Sequence, residues 1–336
     1  YSYPFVLDII LYINLPLLLL LVLTVILSFR ITNPENWLLS FYNNYLYLDI
    51  NYIRNSIHII DKIALIEITG LFIGIMGTVP GHELTHRKKR KFDMFIGNWL
   101  LGISWDCAFA IEHVYGHHKN VCLPNDPATA KRGENVHGFI FRAIIKEQKD
   151  AWKIELKHLK RRGYSYFGIH NKMLIGYLRS LFLTIGFYYL TGILGMFLYL
   201  LLAVYGKVML EAVNFTEHYG LVRQQGKPVF PRHSWNSNSV LSSIYLYNLP
   251  RHSSHHEKAN LEFWELKVYK DAPTMPYGYL SMVYLVLFLP SIYHKIMAKE
   301  LIEWDQIYAT DKEKIMASIQ NKNSGIPILE NHIYPK

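Results

Sequence analysis

The chain has 336 residues, a formal charge of +9 and a hydrophobic fraction of 51%, including 25 Tyr, 17 Phe and 7 Trp. Its apolar residues fall in long blocks separated by charged blocks, which argues for a membrane protein and against a soluble two-domain enzyme. With only two cysteines, Cys107 and Cys122, it has too few thiolates for a four-cysteine iron–sulfur site, and no disulfide framework is expected.

The first predicted element is Phe5–Phe29. Its apolar stretch is longer than a signal-peptide core and no basic stretch precedes it, so it reads as a retained membrane helix, interrupted by Asp8, Asn14 and Pro16. The chain begins at Tyr1 rather than Met, which leaves room for an upstream segment outside the given sequence. A second span, Ile63–Val79, carries Glu67; such polar groups are read as reaching the interface rather than marking a cavity. The motif HELTH follows at His82–His86, then a basic run of Arg87, Lys88, Lys89, Arg90 and Lys91. Phe92–Ala110 is apolar and leads into EHVYGHH at Glu112–His118. A long loop carrying Lys157, Lys160, Arg161 and Arg162 is expected before the third and fourth spans, Met173–Leu190 and Ile193–Val213. The four spans have the roughly 17–25 residues that a crossing requires. NFTEHYG (Asn214–Gly220), HSWNSN (His233–Asn238) and RHSSHH (Arg251–His256) come next, and Tyr277–Ile292 is expected to enter the membrane without crossing it. No repeat, low-complexity tract or linker divides the chain, which reads as one membrane-embedded domain over residues 1–336.

The histidines dictate a topology. If His82 and His86 share a centre with His113, His117 and His118, the Phe92–Ala110 segment cannot cross. The Met173–Val213 pair then goes out and back, returning His218 to the same face. The flanking lysines and arginines mark that face as cytoplasmic and the protein as a multi-pass inner-membrane protein. The same basic surface suits an acidic electron-transfer partner.

Four motifs carry the chemistry. Residues three or four apart share a helix face, so His82 pairs with His86, His113 with His117, and His252 with His255 and His256; His218 adds one more. Nine histidines are too many for one ion and natural for two. Imidazole suits zinc, copper, iron and nickel; a nitrogen-rich pair of metals on a membrane face favours oxygen chemistry and iron, while the residues alone leave other metals open. HExxH by itself is shared with zinc metalloproteases, in which Glu83 would be the general base. The lone histidines His58, His158, His170, His294 and His332 read as surface or interfacial residues.

HELTHR, EHVYGHH, NFTEHYGL and LPRHSSHH resemble the histidine boxes of the alkane monooxygenase family, distant relatives of membrane fatty-acyl desaturases. VCLPNDPATAKRGE and HSWNSN match it too, whereas APTMPYGYL and EWDQIYAT are closer to xylene monooxygenase. The resemblance implies an all-α, multi-pass membrane fold of transmembrane hairpins with a cytoplasmic-face di-metal site. It implies two non-haem iron ions, oxygen as cosubstrate and hydroxylation of a terminal methyl group of a medium- or long-chain alkane. The implied ligands are His82, His86, His113, His117, His118, His218, His252, His255 and His256. The implied partners are a hydrocarbon entering from the bilayer, membrane lipid and an external rubredoxin or ferredoxin and reductase system; no nucleic acid is expected. Methyl-aromatic hydroxylation is the alternative within the oxygenases, and a membrane zinc protease the alternative from another class. Glu83, Glu112, Asp126, Glu217 and His233 are candidates for orienting ligands from behind. Ion pairs with the basic run, or helix caps, suit the carboxylates equally well, and His233 equally suits a solvated loop. The alkane branch usually carries further apolar spans upstream of the Phe5–Phe29 match.

Overall fold

The computed structural model describes residues 3–32 and 34–334. Every regular element is a helix; among the described residues β-structure amounts to one isolated bridge, Asn236 to Thr274. The chain falls into two compact units. One comprises Tyr1–Ala110 and Arg162–Met209, the other Ile111–Arg161 and Leu210–Lys336.

The first unit is built on apolar helices. Pro4–Tyr12 runs into Asn14–Ser28, started by a proline whose missing N–H costs nothing in a first turn. Leu18, Val22 and Ile26, spaced by four, are fully buried and pack with Ile73, Phe187, Tyr199 and Leu202. The other face is equally apolar yet bare: Phe5 is 71% exposed, Ile60 75% and Phe182 66%. A helix apolar all round that is not covered by protein belongs in lipid. Among the described residues, two helices are long and apolar enough to cross a membrane, Pro4–Ser28 and Lys172–His218. The second is broken at Gly192, whose φ of 75° lies outside helical space, between the two spans expected there.

The polar groups inside the first span are accounted for locally. The Asn14 amide donates back to the carbonyls of Ile10 and Leu11, at 2.7 and 3.2 Å. Asp8 pairs with Arg87 and, at 3.2 Å, with Arg90. Arg87 is therefore not part of an exposed basic run. It is buried among Asp8, Glu83 and Asp93, and only Lys88, Lys89, Arg90 and Lys91 face outward.

Helical structure continues from Ile59 to His86 through a π-helical segment, Ile73–Thr78. Its last part, Val79–His86, packs tightly against Lys91–Ile103. A Cβ on Gly81 would sit 2.9 Å from Leu101 Cγ, and one on Gly97 2.9 Å from Leu84 Cβ. Lys91–Ile103 has 13 residues, about 20 Å of helix against a hydrocarbon core of about 30 Å.

In the second unit, residues expected to form a loop make the 27-residue helix Val136–Arg162. Their polarity hid a regular buried face of Ala143, Glu147, Ala151, Glu155 and Leu159. Lys157, Lys160, Arg161 and Arg162 lie exposed at its end. Tyr279–Phe288 has only ten residues, and Pro290 starts a separate helix to Ile307.

Candidate metal centre

Within the second unit, seven of the nine histidines converge in two groups. His117, His218, His252 and His256 are all buried, with one ring nitrogen from each within 4.8 Å of every other. The Nε2 atoms are 3.3 Å apart between His117 and His256, 3.2 Å between His218 and His252, and 2.8 Å between His252 and His256. Nitrogens bound to one tetrahedral ion at about 2.1 Å would lie about 3.4 Å apart. The second group holds His113, His118 and His255, linked by Nε2 separations of 3.1 and 3.0 Å. In the first unit, His82 and His86 project from one helix with ring centroids 4.8 Å apart.

Local backbone geometry sorts the histidines. Residues His113–His117 form a π-helical turn, which widens the repeat to five residues. His113 consequently meets His118, and His117 is released to the other group. The expected pairing of His113 with His117 does not describe the site; neither does that of His252 with His255, since the α-helical spacing joins His252 to His256.

The rings are held so that lone pairs face inward. His117 Nδ1 lies 3.0 Å from a carboxylate oxygen of Asp126, which also accepts from the Thr129 hydroxyl. His218 Nδ1 donates to the carbonyl of His233 at 3.1 Å. Glu217 Oε1 is 3.1 Å from His252 Nδ1 and accepts from the Tyr279 hydroxyl. With the Nδ1 protons of these three rings turned outward, their facing Nε2 atoms are bare acceptors that repel one another unless a cation lies between them. Burial, then the neighbouring His117, pushes the His255 pKa down to about 3; burial and four neighbouring histidines hold His256 well below its usual value. His255 and His256 are thereby held as neutral ligands. Asp126 stays below the usual carboxylate range, because burial, which raises its pKa, is outweighed by His117 and Thr129. The residues present thus fit a metal.

The remaining candidates separate by environment. Asp126 and Glu217 touch histidine rings. Glu83 is instead held by Arg87, at 2.8 and 3.1 Å, and so is not an unengaged general base. Glu112 is buried, and its carboxylate occupies the space that a Cβ on Gly116 would need. His233 acts through its backbone: its ring accepts from the Phe230 N–H and meets Glu313 at 2.9 Å, while its carbonyl receives His218. It is fully buried, not a solvated loop histidine. Glu313, Thr129 and Tyr279 were not singled out from the sequence. Thr129 and Tyr279 had a signal, as members of VCLPNDPATAKRGE and APTMPYGYL; Glu313 had none. Cys107 and Cys122 are free thiols, both buried.

A family model for fatty acid desaturases matches residues 63–286, a stretch that contains all nine histidines. The chain is 37% identical to alkane 1-monooxygenase 1 of Pseudomonas aeruginosa over 68% of its own length and 60% of that protein's. It is 34% identical to alkane 1-monooxygenase of Acinetobacter baylyi over 79% of its own length and 67% of that protein's. The chain belongs to the fatty acid desaturase family, in its alkane monooxygenase branch. A further member, the xylene/toluene monooxygenase hydroxylase component of Pseudomonas putida, is 32% identical over 75% of this chain and 68% of its own. The chain spans about 60% of the length of the first of these relatives. In this branch member, replacing Asp126 with Asn keeps the size of the partner of His117 but removes its charge. Metal affinity is expected to fall about 10- to 100-fold, as for other groups that orient a ligating imidazole. Chelator competition measures it, and an unchanged affinity would assign Asp126 to the loop alone.

Proposed function

We propose that the chain uses molecular oxygen and two electrons to hydroxylate a terminal methyl group of a hydrophobic hydrocarbon, a medium- or long-chain alkane. The observation that carries the reading is the convergence of imidazole nitrogens, all but that of His118 on buried residues, in two groups of the second unit. His117, His218, His252 and His256 hold one iron in this reading; for the other, the family motifs assign His113, His118 and His255, and also His82 and His86. The metals supply oxygen activation, which no protein side chain provides. The chain's own residues hold the ligands in one tautomer, keep the site dry and align one methyl group. The bare apolar helices of the first unit admit a substrate dissolved in the bilayer.

Electrons come from a separate donor of the rubredoxin or ferredoxin kind, since two buried cysteines cannot hold a cluster of this chain's own. Lys88 to Lys91 and the end of the Val136–Arg162 helix present the exposed positive charge for such a partner. Beside His118 a groove of about 1180 Å³ opens, edged by Lys119, Arg223 and Lys227.

Methyl-aromatic hydroxylation is the second reading. Its support is that Tyr279 and Asp305 lie in the two stretches closest to xylene monooxygenase, and both make buried polar contacts. Metal analysis and product analysis test both. Two irons per chain, with 1-alkanols formed from alkanes in the presence of a rubredoxin system, support the first; benzylic alcohols formed in preference support the second. One zinc and no oxygenated product would end both.

The same reading puts the protein in the inner membrane with four crossings and all nine histidines on the cytoplasmic side. Lys91–Ile103 is too short to cross. Cysteines introduced at Lys91 and Lys119 should both be modified by an impermeant reagent from the cytoplasm. Modification from opposite faces would separate the two motifs and sink the shared centre.

A further inference from the structure

His294, expected as a surface or interfacial residue, is half-buried and tied to the residue following a candidate ligand. The Tyr219 hydroxyl lies 2.7 Å from His294 Nδ1, and the Gly133 N–H donates to the same phenol oxygen at 2.9 Å. Because the peptide N–H occupies the oxygen's acceptor side, the phenol proton points at Nδ1. Tyr219 is itself fully buried, stacked on Phe215 at 5.1 Å and edge-on to Tyr293 at 5.3 Å. Its backbone is joined directly to His218, in the four-histidine group.

A buried tyrosine one residue from a candidate ligand, with a base at its hydroxyl, can lose an electron without becoming a cation. We infer that Tyr219 and His294 form a redox-active pair which reduces the oxidised metal centre when no substrate hydrogen is within reach. This rests on the di-metal reading above. One electron passes from Tyr219 to the centre, lowering its oxidation level by one. The phenol O–H bond breaks, the proton forms an N–H bond at His294 Nδ1, and a neutral tyrosyl radical remains. The Gly133 N–H continues to donate to its oxygen. One electron from the external donor and return of the proton restore the phenol. The pair thereby discharges an oxidant that would otherwise attack the side chains around it.

Neighbouring tyrosines do not meet the same conditions. The Tyr293 hydroxyl is buried with no hydrogen-bond partner among the described residues, so its proton has no acceptor. Tyr279 gives its proton to Glu217, which is buried against His252 and has no exposed edge through which to pass it on. His294 is half-exposed and can exchange with water.

The test uses the full chain, iron-loaded, reduced with dithionite and exposed to oxygen without substrate, then freeze-quenched for electron paramagnetic resonance. A tyrosyl signal is expected whose hyperfine pattern collapses when ring-deuterated tyrosine is incorporated. It should vanish in Tyr219→Phe and persist in Tyr293→Phe, with iron content measured on each sample. In His294→Gln, whose amide keeps a hydrogen bond but cannot take the proton, radical yield should fall at least about tenfold, as loss of a positioned base requires. That variant decides the matter if Tyr219→Phe loads less iron, and added imidazole should partly restore its signal. A signal of wild-type size in iron-loaded Tyr219→Phe or in His294→Gln overturns the inference, as does an iron-loaded wild type that gives no radical. A chain that binds no iron overturns the di-metal reading along with it.

Discussion

In His256→Ala, metal content should drop by at least one ion per chain after dialysis against a chelator, and hydroxylation should be lost. His256 stands in the middle of its group, with Nε2 2.8 Å from that of His252 and 3.3 Å from that of His117. Removing it takes one of four ligands and leaves the facing nitrogens around an incomplete site. Groups that merely orient a ligand are worth about 10- to 100-fold in affinity, so loss of the ligand itself should exceed about 100-fold. His58→Ala, at an exposed helix start, is the comparison and should bind metal as the wild type does. Wild-type metal content in His256→Ala would end the four-histidine model.

The second large effect is on stability. Arg132 and Asp305 form a bidentate pair at 2.6 and 2.7 Å, and both side chains are completely buried. The guanidinium also donates to the Gly220 carbonyl at 2.9 Å and to Asn321 at 2.8 Å. It thereby joins the segment after the second histidine motif, the chain just beyond His218 and the C-terminal helices. Removing one partner strands the other charge without water, which typically costs about 3–5 kcal/mol. Asp305→Ala should lower the thermal midpoint in detergent by roughly 10 °C, taking about 2–4 °C per kcal/mol for a unit of this size. Replacing both with leucine should recover much of the loss, because an apolar pair leaves no buried charge. An unchanged midpoint in Asp305→Ala would mean that the pair does not anchor these segments.

These two effects differ in how far the sequence foretells them. The nine histidines were legible because metal chemistry demands a rare residue type at short spacings, and three such motifs beside apolar blocks are seldom accidental. The apolar helices were legible for the same kind of reason: a lipid-facing helix must be apolar on every side, as Phe5, Ile60 and Phe182 show. Even the break at Gly192 fell where two apolar runs met. Arg132 and Asp305, by contrast, are 173 residues apart, and nothing local to either one names the other.

The sequence by itself therefore determined the apolar helices and the histidine motifs, since both are written in composition and local period, while the all-helical class came from the family resemblance. Which histidine shares a group with which was decided by the tertiary structure. A five-residue π turn, invisible to a three-or-four rule, moved His117 away from His113 and gave His118 in its place. The surroundings of the ligands were decided there too. Asp126 and Glu217 reached imidazole rings while Glu83, in the best-known motif, was taken by Arg87, because a carboxylate's partner is set by which element packs against it. The polar helix Val136–Arg162, the backbone role of His233 and the acceptor on His294 have the same origin. Each is a contact between segments distant in the chain, and the packing of those segments, not the residues' own propensities, selects the partner.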